Sequence, residues 1–175
     1  MSPMIEIRNA TETDLPVILQ IYNDVILTTT AVYSYEPHTM EMRKAWYDAR
    51  MKDRHPVFVA VAEGKVVGFS SYGPFRAWPA YKYTVENSIH VAADQRGKGI
   101  AKLLMEPLIR TARENDLHAI VAGIDASNTV SLRLHERFGF VEVAHFKQVG
   151  YKFGHWLDLT FMQLLLDTPA VPVEG

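Results

Sequence analysis

Two hydrophobic periods trade places along the chain, and each change of period predicts an element. Ile5 and Ile7 alternate with Glu6 and Arg8 as a first strand. Thr11-Glu12-Thr13-Asp14 then offers a cap to a helix whose stripe is Leu15, Ile18, Leu19, Tyr22 and Ile26, with Pro16 tolerable because it lies in the first turn. No period is clear from Thr28 to Pro37. A second helix is predicted from about Thr39 to Arg54, with Met42, Ala45, Trp46 and Ala49 turned inward, and Pro56 ends it. Val57 to Ala62 and Val66 to Tyr72 are β-rich runs flanking Glu63-Gly64-Lys65, the pattern of a hairpin. Gly73 to Tyr81 then breaks all periodicity with two prolines, three aromatics and one arginine, a loop with unusual cargo.

The organising stretch runs from Glu86 to Glu114. Ile89 and Val91 alternate with Ser88 and His90 as a half-buried strand, whereas Ile100, Leu103, Leu104, Leu108 and Ile109 fall on a helical stripe. A kink is expected at Pro107, which removes the N–H that would bond to Leu103. Arg96-Gly97-Lys98-Gly99-Ile100-Ala101 joins the two periods. Its glycines let the backbone approach a ligand, the helix start presents unpaired N–H groups, and two cations stand at the same place, as a pyrophosphate would require. The dinucleotide fingerprint fails, because Lys102 stands where a glycine or alanine is needed, and no G-x-x-x-x-G-K-[ST] occurs. R-x-x-G-x-A remains, and an ordinary β-to-α turn with solvating charges stays open beside it. Beyond the helix, Ala119 to Ile124 reads as a buried strand. Asp125-Ala126-Ser127-Asn128 turns into a helix carrying Val130, Leu134 and Phe138 and capped by Gly139. Phe140 to Phe146 and Trp156 to Leu165 supply the last strands, and Thr168 to Gly175 reads as a frayed tail.

Composition narrows the chemistry. The 175 residues carry 18 basic and 20 acidic side chains for a net charge of -2, so no basic excess points to nucleic acid. With no cysteine, disulfides, thiolate metal sites and a cysteine acyl-enzyme are excluded. The seven histidines show no H-E-x-x-H spacing, so no metal is expected, and G-x-S-x-G is broken at Tyr72. No signal pattern or membrane-length apolar run is present, which reads as a cytoplasmic protein with no membrane partner. No repeat or linker divides the chain, so one domain is expected over residues 1–167, followed by a flexible tail over 168–175.

R-x-x-G-x-A at Arg96 to Ala101, placed between strand and helix, resembles the coenzyme A loop of the GCN5-related N-acetyltransferases. Asn128-x-x-Ser131-x-x-Leu134-His135-x-x-x-Gly139-Phe140 is similar to a second motif of that superfamily, and the two stand in the family's order. Tyr83-Thr84-Val85-Glu86-Asn87-Ser88, Leu134-His135-Glu136 and Gly150-Tyr151-Lys152-Phe153-Gly154-His155-Trp156-Leu157-Asp158 resemble the phosphinothricin and methionine sulfone or sulfoximine branch. The resemblance implies an α/β single-domain fold, a mixed sheet of about seven strands flanked by about four helices. It implies acetyl transfer from acetyl-CoA to the α-amine of a small amino acid analogue, by direct attack in a ternary complex. A protein or peptide amine acetyltransferase and a non-catalytic acyl-CoA-binding module remain as alternatives.

The resemblance also assigns roles. Ile89, His90 and Val91 on the strand, Arg96, Gly97, Lys98, Gly99, Ile100 and Ala101 in the turn, and Asn128 and Ser131 would hold the coenzyme. Backbone N–H groups near His90 and Val91 would stabilise the oxyanion. Glu86 is the first candidate for the base that deprotonates the amine, and His135, at the position of the family's tyrosine, for the group that donates to the departing thiolate, though the two could exchange roles. Phe75, Arg76, Trp78, Glu86, Asn87 and Ser88 are the acceptor candidates, with the Arg76 fork matched to a carboxylate and Phe75 and Trp78 walling the pocket. The family's usual homodimer would let Tyr151, Lys152 and Trp156 complete that pocket from a neighbouring subunit.

Overall fold

The first alternation becomes strand β1 (Ile5–Asn9) and the first stripe helix α1 (Leu15–Thr28), in a computed structural model that describes residues 4–175. Helix α2 (Met40–Lys52) follows, then the hairpin β2 (Val57–Ala62) and β3 (Lys65–Pro74), then β4 (Thr84–Val91) and helix α3 (Ile100–Glu114). Strand β5 (Ala119–Asp125), helix α4 (Thr129–Arg137) and the hairpin β6 (Val141–Lys152) and β7 (His155–Leu165) complete the order. The strands form one seven-stranded sheet in the order β1-β2-β3-β4-β5-β7-β6. β4 and β5 pair in parallel, while β1–β2, β2–β3, β5–β7 and β6–β7 are antiparallel, so the sheet is mixed as expected.

The chain gathers into two compact units. The first comprises, among the described residues, 4–29, 34–72 and 88–109; the second comprises Thr30–Tyr33, Gly73–Asn87 and Arg110–Gly175. β4 passes from the second into the first after Asn87, and α3 passes back after Ile109.

In the first unit Leu15, Ile18 and Ile21 of α1 meet Val57, Val59 and Phe69 of the hairpin, with Tyr47 of α2 in the same core. Burying an Ile or Phe side chain completely contributes roughly 1.5–3 kcal/mol relative to leaving it exposed. The inward face of α2 differs from the expected one. Met42, Ala45 and Ala49 are exposed and Trp46 is half-buried, whereas Arg43 and Tyr47 are buried. The cause is aromatic. The Arg43 guanidinium carbon lies 4.1 Å from the Tyr22 ring centroid and 4.6 Å from that of Trp46, so an arginine takes an interior position between two ring faces. The α3 helix runs through Pro107, and Ser70 Oγ donates to the Leu104 carbonyl at 3.2 Å.

In the second unit Val85, Ile120, Ala122, Ile124, Phe140, Leu157 and Met162 are buried. β6 extends past the expected Phe146, because a register shift between Phe146 and Gly150 interrupts the alternation that a sequence reading follows. Phe153 and Gly154 turn the hairpin with φ of 51° and 80°, as a tight turn with two left-handed residues demands. Val130, expected inward on α4, is 78% exposed, and His135 is the buried residue of that helix. The tail has no regular structure, yet Val173 N donates to the Tyr83 hydroxyl at 3.0 Å.

Candidate active site

The glycine turn belongs to the first unit. Gly97 and Gly99 have φ of 78° and 77°, a left-handed conformation that L side chains rarely adopt, and no heavy atom lies within 4 Å of a Cβ built on either. The backbone there is open to a ligand. Arg96 Nε donates to the Val91 carbonyl at 3.2 Å and Lys98 Nζ to Gln95 Oε1 at 2.9 Å, so both cations are tethered beside the turn. α3 begins at Ile100 and presents its first-turn N–H groups and positive dipole end to the same place. The Ile100 side chain is buried, at 1% exposed, so only its backbone faces the turn. Upstream, the His90 ring packs against Phe69 and Tyr22, and burial, with Arg43 and Arg96 adding to it, pushes its pKa down to about 4. His90 therefore holds a neutral ring between these aromatic side chains. Gly68 is required beside it, because a Cβ would meet the His90 carbonyl at 3.1 Å and Leu104 Cδ1 at 3.2 Å.

The second unit holds the carboxylate. Glu86 sits on β4 opposite Val121 of β5 and is half-buried. Gly123 of β5 leaves it room: a Cβ there would stand 3.1 Å from Glu86 Oε1 and 3.3 Å from Phe161 Cε1. Burial raises the Glu86 pKa above the usual carboxylate value, and the positive charge of Arg76 opposes part of that rise. Around it, Phe161 takes the edges of Phe75 at 6.4 Å and Phe146 at 5.7 Å between centroids, and the Arg76 guanidinium carbon lies 5.1 Å from the Phe75 centroid. A half-buried carboxylate, an exposed cation and aromatic rings are groups that could serve an amino acid, as a proton acceptor for its ammonium, a partner for its carboxylate and an apolar face for its side chain.

Asn87 follows Glu86 in the chain and points elsewhere, since successive strand residues face opposite sides. Its Nδ2 lies 3.1 Å from His135 Nε2, and His135 Nδ1 lies 2.8 Å from the Ser131 carbonyl. Asn128 caps α4, its Oδ1 accepting from Ser131 N at 3.1 Å. Glu86 thus lies in the field of Arg76, and Asn87 in hydrogen-bond contact with His135.

Other expected residues are distributed unevenly. Trp78 is 75% exposed, while Phe161, absent from the acceptor candidates, stands beside Glu86 at Gly123 and packs against the Phe146 ring at 5.7 Å between centroids. Ser88 is half-buried on the stretch of β4 that belongs to the first unit. Lys152 is 5% exposed and donates to the Val32 carbonyl at 2.9 Å, so its ammonium is turned into its own chain rather than outward. Tyr151 and Trp156 pair at 5.1 Å and are 48% and 60% exposed. Tyr33 is a further missed residue: its hydroxyl donates to Asp125 Oδ2 at 2.9 Å, and burial and Asp125 raise its pKa. A glycine in an otherwise apolar β5 run was the one sequence signal that could have led to the notch.

The sequence pattern of the Acetyltransferase (GNAT) family matches residues 18–140. The chain is 48% identical over 162 residues to an L-methionine sulfoximine/L-methionine sulfone acetyltransferase of Pseudomonas paraeruginosa, covering 92% of this chain and 94% of that one. It is 43% identical over 166 residues to an L-amino acid N-acyltransferase of Escherichia coli, covering 95% and 96%. Its fold superposes on the crystal structure of a GNAT superfamily phosphinothricin acetyltransferase from Sinorhizobium meliloti in complex with acetyl-CoA, with a TM-score of 0.93 and 32% identity over 98% of this chain and 94% of that one.

Proposed function

Because the chain belongs to the Acetyltransferase (GNAT) family, we propose that it is an acetyl-CoA-dependent N-acetyltransferase acting on the α-amine of a small amino acid analogue of the methionine sulfone, methionine sulfoximine or phosphinothricin type. The observation that carries the acceptor class is the Glu86 notch, where a half-buried carboxylate of raised pKa stands in the field of Arg76 beside Phe75, in the space that Gly123 leaves. The relatives' names and the complex with acetyl-CoA support the same reading.

The open glycines, the two tethered cations and the helix start fit the pyrophosphate of a coenzyme, with Arg96, Gly97, Lys98, Gly99, Ile100 and Ala101 as the cradle. Ile89, His90 and Val91 offer main-chain groups on the approach, and Asn128 and Ser131 a polar helix start. Acetyl-CoA supplies an activated acyl thioester. Arg76 takes the acceptor carboxylate in a two-point contact, and Phe75 and Phe161 line its side chain. Glu86 accepts a proton from the ammonium, directly or through water, and so frees the lone pair for attack on the acyl carbon. Backbone N–H groups at His90 and Val91 stabilise the developing oxyanion, the nitrogen, positively charged after attack, gives up its second proton to water, and the carbon–sulfur bond breaks with the sulfur leaving as thiolate. A free thiol has a pKa of about 8.5, so water suffices to return its proton near neutral pH.

The protein acts in the cytoplasm as a homodimer, in which the exposed Tyr151 and Trp156 of one copy reach the acceptor pocket of the other. Residues 1–167 form the N-acetyltransferase domain, with 168–175 a flexible tail. Among the described residues no helix is long and apolar enough to cross a membrane. Incubation with acetyl-CoA and a panel of amino acids and peptides, while free thiol is followed, tests the reading. Turnover with methionine sulfone or sulfoximine and none with peptides is expected. Thiol release with peptides alone would move the chain to the protein-modifying class, and none with any amine would make it a binding module.

A further inference from the structure

The pairing of His135 departs from the role its position implies. Nδ1 lies 2.8 Å from the Ser131 carbonyl oxygen. A carbonyl can only accept, so the ring carries its proton on Nδ1. The lone pair of a neutral ring is then on Nε2, which lies 3.1 Å from Asn87 Nδ2 and takes an N–H from it. The opposite amide orientation would set an oxygen against that lone pair. His135 is 5% exposed, and the edge contact with Phe140, at 4.9 Å between centroids, closes a third side. Both ring nitrogens are engaged in the direction that leaves no proton to give from Nε2.

The location of the pair gives it a task. The parallel ladder of β4 with β5 runs Thr84↔Ala119, Val85↔Ile120 and Glu86↔Val121. Asn87 is the next residue, and His135 holds it from α4. We propose that His135 is a positioning residue and not the proton donor: as a neutral Nδ1–H imidazole it accepts from the Asn87 amide at the position following the ladder, and so fixes the strand that aims Glu86. The inference rests on the acetyltransferase reading for its kinetic test. Burial pushes the His135 pKa down, with the Ser131 carbonyl offsetting part of the drop, in keeping with a ring that stays neutral.

His135→Gln and His135→Leu separate the two roles. A glutamine amide can accept from Asn87 through its oxygen and donate to Ser131 through its nitrogen, yet it has no proton to transfer near neutral pH. His135→Gln is expected to keep kcat within about 3-fold of wild type, and His135→Leu to lose about 10-fold or more in kcat, with the acetyl-CoA KM little changed in either. The acid limb of the pH–rate profile should be the same in wild type and His135→Gln. A glutamine variant as slow as the leucine one, or one that has lost a limb, would overturn the proposal. Nitrogen-15 NMR of the wild-type imidazole gives an answer that needs neither variant to fold. Protonation of Nδ1 alone between about pH 6 and 9 is expected, and a proton on Nε2 or an imidazolium near neutral pH would refute it. A wild type that releases no thiol with any amine would sink the acetyltransferase reading while leaving the NMR result to decide the tautomer.

Discussion

Gly97 and Gly99 leave main-chain groups open to solvent, whereas Glu86 is half-buried at the gap left by Gly123 of β5, beside Phe161 of β7 and in the field of Arg76 from the β3–β4 connection. The turn needs a backbone conformation and little else. The notch needs a carboxylate of altered basicity, a cation near enough to act on it and a missing Cβ at Gly123. Recognition by backbone is local in sequence and tolerant of its surroundings; recognition by side chains depends on residues far apart in the chain. Changes at the turn should therefore weaken coenzyme affinity and spare the chemical step, and changes at the notch should do the reverse.

The largest effect is expected at Glu86. Glu86→Gln keeps the shape and loses the basicity, so turnover should fall by about 10²–10⁴-fold with acetyl-CoA affinity unchanged. Steady-state rates beside calorimetric titration of the coenzyme check both halves, and a parallel loss of affinity would erase the contrast. Next comes Gly99→Val. At a φ of 77° a β-branched residue is strained even though the space around it is open. Acetyl-CoA affinity should drop by about 10-fold or more, since each 1.4 kcal/mol of strain or lost contact is a factor of ten. The rate at saturating coenzyme should stay within a few-fold, and unchanged affinity would remove the turn from the site.

That contrast also decides what could be read from the chain beforehand. The turn was legible because its glycines, its charges and the change from strand to helix period all lie within a few residues. The order of strands and helices was legible for the same reason. The face of α2 was not, because a stripe of apolar residues is the usual inward signal and here Arg43 goes inward between Tyr22 and Trp46. Phe161 beside Glu86 was not legible either, because it belongs to a strand far along the chain and meets Phe75 only through packing across the sheet. His135 and Asn87 each stand in a motif of the chain. That they hold each other is a fact of β4 and α4 lying side by side in the second unit, which no spacing expresses.

An intermediate effect is expected at Arg76. Losing a hydrogen-bonded partner of a charged group costs about 1.5–3 kcal/mol, so Arg76→Ala should raise the acceptor KM by roughly 10-fold or more and leave acetyl-CoA affinity alone. The pH profile sharpens the assignment. Arg76 lowers the Glu86 pKa against the rise caused by burial, so its removal should move the acid limb of kcat/KM to higher pH. An unmoved limb, measured with methionine sulfone, would separate Arg76 from the base. A fixed acceptor KM would separate it from the carboxylate.

The smallest effects concern stability, and they set one carboxylate of each unit against the other. In the first unit Asp14 accepts from Arg8 at 2.8 and 2.9 Å and from Thr11 N at 2.8 Å, and the Arg8 hydrogen bond leads the interactions that lower its pKa. A lowered carboxylate pKa contributes stability above the unfolded value of about 3.9 and loses it as pH falls through the folded value. Asp14→Asn should thus cost about 1–2 kcal/mol at neutral pH and progressively less in acid, with kinetics untouched. Glu86 has the opposite sign. Its raised pKa means that ionisation disfavours the folded state, a penalty fully present above the folded pKa and absent below the unfolded value of about 4.3. Glu86→Gln should then raise the thermal midpoint at neutral pH, with the gain vanishing in acid, in the variant that loses the most activity. Melting curves of the two variants across pH should diverge in opposite directions from wild type as pH rises. If Glu86→Gln instead melts lower at neutral pH, the carboxylate is a structural partner and not a base kept at the expense of stability.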